Sequence, residues 1–278
     1  MNTIHCGPYR LSLQRPLVMG IVNLTPDSFS GDGLLGDLER AIAHARVQRD
    51  AGADILDIGA ESSRPGAIPT PEDEELRRLL PVLEELKTWN IPLSVDTYKP
   101  AVMRASLAAG AAMINDISAM LRPEALAAVA ASDCAICLMH MRGEPGTMQQ
   151  DPQYMNVVGE VRDFLASAVA RCRRAGIADE RLVLDPGFGF GKSLEHNVAL
   201  FRAMAAMTVD NLPLLVGVSR KSMLGAITGR PVDERMAASI AAAVLAAAKG
   251  AKILRVHDVA ATRDALAVWA AMEQGEEQ

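Results

Sequence analysis

The sequence predicts a (β/α)8 barrel of the TIM type with a short N-terminal hairpin cap, on three observations. Eight apolar runs of strand length recur along the chain, helical patterns alternate with them, and 278 residues suffice for such a barrel, which typically takes about 250. The runs are 17–22, 54–58, 92–95, 113–117, 135–139, 182–184, 214–218 and 253–256. Most are almost continuously apolar, as expected of strands covered on both faces. An open doubly wound sheet is the alternative. The steady alternation shows no composition break, linker or boundary, which favours one barrel domain over 1–278.

Taken in order, residues 1–16 read as a short polar hairpin or cap that turns at Gly7-Pro8. The first helix, 37–52, has apolar residues at helical spacing and stops on Gly52. The second opens on Thr70 as N-cap, Pro71 at the first helical position and Glu72 and Asp73 in the first turn. Helical patterns at 100–110, 123–131, 155–176, 195–207, 233–250 and 260–272 complete the set. Within the seventh, 236–248 is apolar almost all round, which predicts either burial or a partner. A homodimer contact there is the expectation. The stretch lies between Arg235 and Lys249 and is shorter than the ~20 residues a membrane span needs.

Bulk composition narrows the function. Half the residues are apolar, enough for a large core, and the net charge is −6. An acidic chain of this kind argues against a nucleic-acid or anionic-membrane surface, so an anionic ligand must be held by local cations. The first 14 residues lack the apolar stretch of an export signal, so the expected location is cytoplasmic. The four cysteines form no disulfide framework. Cys134 and Cys137 make a C-x-x-C inside an apolar strand, without a second pair for zinc, and read as buried and inert.

Barrels of this kind place their chemistry at the C-terminal ends of the strands. Here those ends carry Asn23, Glu61, Asp96, Asn115, His140, Asp185, Ser219 with Lys221, and Arg255 with His257. One polar strand end is ordinary loop chemistry; a polar group at all eight points to a convergent pocket. Asp96, Asn115 and Asp185 suit a flat heterocycle with amino and ring N–H groups. Lys221, Arg255 and His257 follow strands seven and eight, where barrels frequently bind phosphate. Asn23 could give its carbonyl oxygen to a hard metal carried by that phosphate.

The stretch 214–225 gathers these signals, because an apolar strand stops at Ser219-Arg220-Lys221-Ser222 and a helical pattern starts directly after it. Such a junction can hold an anion or an electron-rich ring, or be a solvated basic turn. The run Asp185 to Ser193 ends like a phosphate-binding G-K-S loop, but the first glycine of that motif falls on Pro186. It reads instead as a glycine-rich loop that lets backbone approach a ligand. His5, His44 and His196 have no convergent partners and read as surface or capping residues.

Eight short segments together resemble dihydropteroate synthases. They are G-I-V-N-L-T-P-D-S-F-S at 20–30, D-I-G-A-E-S-S-R-P-G at 57–66, S-V-D-T at 94–97, I-N-D-I at 114–117, L-M-H-M at 138–141, D-P-G-F-G-F-G-K at 185–192, S-R-K-S at 219–222 and R-V-H-D at 255–258. The resemblance implies that the chain joins 6-hydroxymethyl-7,8-dihydropterin diphosphate to p-aminobenzoate, with Mg2+ as cofactor. It implies a pterin site of Asp96, Asn115, Asp185 and Lys221, with Ile117, Met139, Phe190 and Gly217 around the ring. Asn23, Arg255 and His257 would hold the diphosphate, with Mg2+ near Asn23. Phe29, Ser63, Arg64, Pro65 and Ser222 would shape the p-aminobenzoate site. Lys221, Arg255, Asn23 and Asp32 would carry catalysis. The chain departs from the family pattern at Ser30-Gly31-Asp32-Gly33, where the aspartate is displaced by one position, and at Ala60 and Ser63, which replace glycine and threonine. A pterin-binding methyltransferase and a non-catalytic pterin module are the competing readings. The methyltransferase would not need Arg64-Pro65 or the 219–222 segment.

Overall fold

A computed structural model describes residues 1–24, 33–61, 69–144 and 146–273, with the backbone alone for 33–37. Strands β1 (Thr3–Cys6) and β2 (Tyr9–Ser12) form an antiparallel hairpin, turning through Gly7 at φ 55°. The hairpin is in place, but it is not polar on both faces. Ile4, Cys6 and Leu13 are buried in a cluster with Met19, Ile55, Met113, Cys137, Val183, Leu215 and Ile253. Several of these open their strands, so the hairpin plugs the N-terminal end of the barrel with apolar side chains.

The barrel strands are β3 (Leu17–Asn23), β4 (Ile55–Gly59), β5 (Leu93–Asp96), β6 (Met113–Asp116), β7 (Ala135–Met139), β8 (Leu182–Asp185), β9 (Leu215–Val216) and β10 (Ile253–Val256). They run parallel in the order β8-β7-β6-β5-β4-β3-β10-β9, and a parallel bridge from Leu184 to Leu214 joins the two ends. This is the (β/α)8 architecture the sequence predicts. Alternate residues explain the continuous apolar runs. Met19, Met113, Cys137 and Val183 fill the interior, while Val18, Ile114, Ile136, Leu138, Leu182 and Leu184 face the helix layer.

The outer layer contains α1 (Gly33–Asp50), α2 (Glu72–Leu86), α3 (Pro100–Ala108), α4 (Pro123–Ala130), α5 (Val157–Arg174), α6 (Leu194–Arg202), α7 (Ser222–Thr228), α8 (Met236–Ala248) and α9 (Val259–Glu273). Two expectations change here. Helix α2 starts at Glu72 with Pro71 in the cap position, and no side chain caps it. Thr70 is therefore not its N-cap; the Thr70 carbonyl instead accepts from Lys99 Nζ at 2.5 Å. The pattern at 195–207 divides into α6 and a 3₁₀ turn, Met204–Met207. Ser193 and His196 cap α6 reciprocally, which gives His196 the capping role expected for it.

Helix α8 buries Ser239, Ala242, Ala243, Ala246 and Ala247, and leaves Met236 and Leu245 exposed. Small residues on its inner face let it lie close to the sheet. All four cysteines are free and buried. Burial pushes the Cys6 thiol up to about 12 and the Cys172 thiol to about 11, so both stay protonated and inert. Among the described residues, no helix is long and apolar enough to cross a membrane.

The hairpin plug yields a stability prediction. Leu13→Ala removes a side chain with 1 % exposure from the plug and is expected to cost about 2–5 kcal/mol in chemical denaturation. Because Leu13 lies at the end of the barrel away from the polar strand ends, kcat/KM measured well below the melting range is expected to stay within about twofold.

Candidate active site

Asp57, Asp96 and Asn115, from β4, β5 and β6, gather around Arg255 of β10. Its Nε donates to Asp57 Oδ2 at 2.6 Å and its Nη2 to Asp96 Oδ2 at 2.9 Å. Asp57 also accepts from Ser94 Oγ at 2.6 Å and from Asn115 Nδ2 at 3.2 Å. Strand register makes this arrangement: Asp57 lies opposite Ser94 on the adjacent strand, and Asp96 opposite Asn115. The Asp57 side chain is fully buried. Removing one partner of such a pair leaves an uncompensated buried charge, at a cost of about 3–5 kcal/mol. Burial pushes the Asp96 carboxyl up, and the Arg255 guanidinium opposes it. Burial likewise works against the guanidinium charge, but Asp57 and Asp96 hold its pKa above the usual arginine value.

Across the mouth stands a second group built on the glycine-rich loop and the start of α7. Asp185 Oδ1 accepts from the Gly187 N–H at 2.7 Å. Burial pushes this carboxyl up as well; Lys221, the Gly187 N–H and Lys192 pull it down. Lys221 is the N-cap residue of α7, and its Nζ donates to the Phe188 carbonyl. The ammonium also lies 4.6 Å from the centre of the Phe190 ring. Burial pushes Lys221 down to about 8, with Asp185 opposing. Gly187 has no substitute in this loop: at φ 69° a Cβ would fall 1.8 Å from the His140 carbonyl oxygen.

The basic junction at 219–222 separates into three roles. Arg220 is bound by Asp258 through two hydrogen bonds, at 2.6 and 3.2 Å. Ser219 Oγ pairs with His257 Nδ1 at 3.0 Å. Lys221 alone of the two cations faces Asp185. The adjacent charges therefore do not act as one anion site.

The other expected residues fall as follows. Asn23 ends β3 half-buried, and its side chain has no hydrogen bond among the described residues. Ile117 and Met139 are buried at the ends of β6 and β7. Phe190 is half-buried, and Ser222 is exposed as the first residue of α7. Gly217 is buried, and a Cβ there would meet Arg255 Cβ at an ordinary 3.6 Å. Protein packing alone thus does not demand glycine at 217. Arg255 has two of its three guanidinium nitrogens on carboxylates, and among the described residues nothing bonds Nη1, which can turn to a ligand. Phe29, Asp32, Ser63, Arg64 and Pro65 lie outside the described residues.

Two further strand-end candidates are held within the protein. Glu61 binds Lys99, which also bonds Glu75 at 2.6 Å, and Glu61 accepts from Tyr98 Oη at 3.0 Å. His140 Nδ1 faces Lys192 Nζ at 2.9 Å. The sequence reading missed Asp57, which it absorbed into an apolar strand. The available signal was a carboxylate in the middle of a strand buried on both faces, because such a charge needs a partner.

A pterin-binding enzyme family model matches residues 19–257. The dihydropteroate synthase of Escherichia coli K12 is 49% identical over 259 residues, 93% of this chain and 92% of its own length. Among solved structures, Burkholderia cenocepacia dihydropteroate synthase complexed with 7,8-dihydropteroate superposes with a TM-score of 0.90 at 51% identity, covering 98% of this chain and 96% of that one. The Xanthomonas albilineans enzyme with 4-aminobenzoic acid gives a TM-score of 0.93 at 50% identity, covering 99% of both chains. With the motifs in family order and the barrel around them, the chain belongs to the dihydropteroate synthase family of pterin-binding enzymes.

Proposed function

We infer that this chain joins 6-hydroxymethyl-7,8-dihydropterin diphosphate to p-aminobenzoate, releasing pyrophosphate and forming 7,8-dihydropteroate for folate biosynthesis. The observation that carries this reading is the pairing, at one barrel mouth, of the Arg255 cluster with Asp185 and Lys221. Relatives crystallised with 7,8-dihydropteroate and with 4-aminobenzoic acid support it. The whole chain is taken to act as a single barrel domain.

In the assignment we favour, Asp96, Asn115 and Asp185 accept from and donate to the amino and N–H edge of the pterin. Lys221 donates to its polar edge, and Ile117, Met139, Phe190 and Gly217 enclose the ring. Asn23, Arg255 Nη1 and His257 hold the diphosphate. Ser222, with Phe29, Ser63, Arg64 and Pro65, receives p-aminobenzoate, and Asp32 steadies the developing cation. The methylene C–O bond breaks and pyrophosphate leaves with the electron pair. The aniline nitrogen then forms the new C–N bond and loses a proton. That nitrogen is already neutral at pH 7, so no strong general base is required. Positioning and stabilisation of the leaving charge supply most of the acceleration.

Mg2+ fits this chemistry through the amide oxygen of Asn23, which no protein group occupies among the described residues. An isolated oxygen donor suits a small hard cation whose remaining shell comes from phosphate and water. When bound, the ion would offset negative charge on the departing pyrophosphate. We also propose a homodimer through α8 and its neighbours. Ile227, Val232, Met236, Leu245, Val268 and Met272 form an exposed apolar set on and between α7, α8 and α9. A monomer in sedimentation at micromolar concentration would contradict that proposal.

Incubating the protein with the pterin diphosphate, p-aminobenzoate and Mg2+ is expected to release pyrophosphate in proportion to dihydropteroate. Absence of p-aminobenzoate-dependent release would sink the proposed function. In the same assay, Lys221→Ala is expected to lower kcat/KM about 100- to 1000-fold with the fold retained. The proton on Lys221 is present below about pH 8 and lost above it, so wild-type kcat/KM is expected to fall as pH rises through that range. In Lys221→Arg the alkaline fall should disappear, because guanidinium stays charged. An unchanged alkaline limb in Lys221→Arg would remove this lysine as its source.

A further inference from the structure

The glycine-rich loop after β8 is secured from below by two buried groups that take no part in the chemistry described so far. Lys192 is 3 % exposed and His140 5 %. Lys192 Nζ lies 2.9 Å from His140 Nδ1, 2.8 Å from the Gly187 carbonyl and 3.0 Å from the Phe190 carbonyl. The His140 carbonyl is farther away, at 3.4 Å. An ammonium has three N–H donors, and these three short contacts match them in number. Burial pushes the Lys192 ammonium down while the neighbouring Asp185 opposes it; three facing acceptors favour keeping the proton on.

His140 must then be neutral and present a lone pair at Nδ1. Burial, followed by the Lys192 charge, pushes the imidazole down to about 3, in keeping with that role. The ring is seated edge-on against Phe164, with centroids 4.9 Å apart. The two carbonyls that Lys192 holds belong to residues with direct consequences for the mouth. Gly187 fixes Asp185 through its N–H, and Phe190 underlies the Lys221 ammonium. On the far side, Asn197 Oδ1 accepts from the Gly189 N–H at 2.8 Å and its Nδ2 donates to the Lys192 carbonyl at 3.3 Å. The loop is thus tied at Gly187, Gly189, Phe190 and Lys192.

We propose that Lys192 and His140 are positioning residues for the pterin: the pair sets the place of Asp185 and Phe190, and through them the wall that receives the heterocycle. Neither residue touches the substrate. The proposal rests on the pterin assignment above, and its effect is selective, because p-aminobenzoate is assigned to other loops.

Three variants test it by calorimetric binding of the pterin diphosphate and by steady-state KM for both substrates. Lys192→Met removes the donor. His140→Leu removes both the ring and the acceptor, whereas His140→Asn loses the ring but keeps an acceptor close to Nδ1. Lys192→Met and His140→Leu are expected to weaken pterin binding about tenfold or more, with KM for p-aminobenzoate within about twofold. His140→Asn is expected to recover most of the loss. Unchanged pterin affinity, an asparagine variant no better than leucine, or equal weakening toward both substrates would overturn the proposal. Should Lys192→Met fail to fold, the two His140 variants decide the matter. Wild-type protein that neither binds the pterin nor releases pyrophosphate would instead remove the assignment beneath it, before any variant is compared.

Discussion

Arg255 held between the carboxylates of Asp57 and Asp96 is the constraint on which the mouth of this barrel depends. A guanidinium and two carboxylates withdrawn from water are stable only if each finds partners at close range. Asp57, Asp96, Asn115 and Ser94 supply them from three neighbouring strands. No loop is needed to bring these groups together, because the register of β4, β5 and β6 already sets them side by side. This wall of the site is therefore as rigid as the sheet, and Asp96 and Asn115 are set in place before substrate arrives.

The opposite wall is built differently. Its rigidity comes from hydrogen bonds within a loop rather than from strand pairing. Gly187 and Gly191 permit approaches that a Cβ would block, at 1.8 and 2.2 Å from the backbone of 140–142. Lys192 and Asn197 then tie the loop down. Two walls of different construction meet at one barrel mouth, and Lys221, from the start of α7, lies against the loop wall on the Phe188 carbonyl and the Phe190 ring. Both substrate assignments converge at that junction, with Lys221 turned to the pterin side and Ser222 one residue later on the helix.

Much of this architecture was legible because the barrel strands are covered on both faces. Burial of both faces makes a strand read as a continuous apolar run, and eight such runs in alternation with helices admit few folds. The same logic hid Asp57, whose inward position made it look like one polar residue inside a strand. The hairpin is where the sequence predicts it, but its buried face was hidden for the opposite reason. Ile4 and Cys6 alternate with Thr3 and His5, a period of two that marks one buried face, yet the segment looked polar as a whole. At 219–222 the sequence placed two cations together without showing which turns inward. The decision comes from Asp258, 38 residues away, which binds Arg220 and leaves Lys221 to the site. Thr70 similarly had the right chemistry for a cap, but the helix starts at Glu72 and a buried lysine takes the Thr70 carbonyl.

The most direct test of this account is a crystal structure of the protein with 6-hydroxymethyl-7,8-dihydropterin diphosphate bound. The expected result places the amino and N–H edge of the ring within about 2.6–3.2 Å of Asp96, Asn115 and Asp185. Arg255 should remain on Asp57, with its free nitrogen turned to the diphosphate. A ring seated away from those three residues, or an Arg255 that leaves Asp57 on binding, would contradict it.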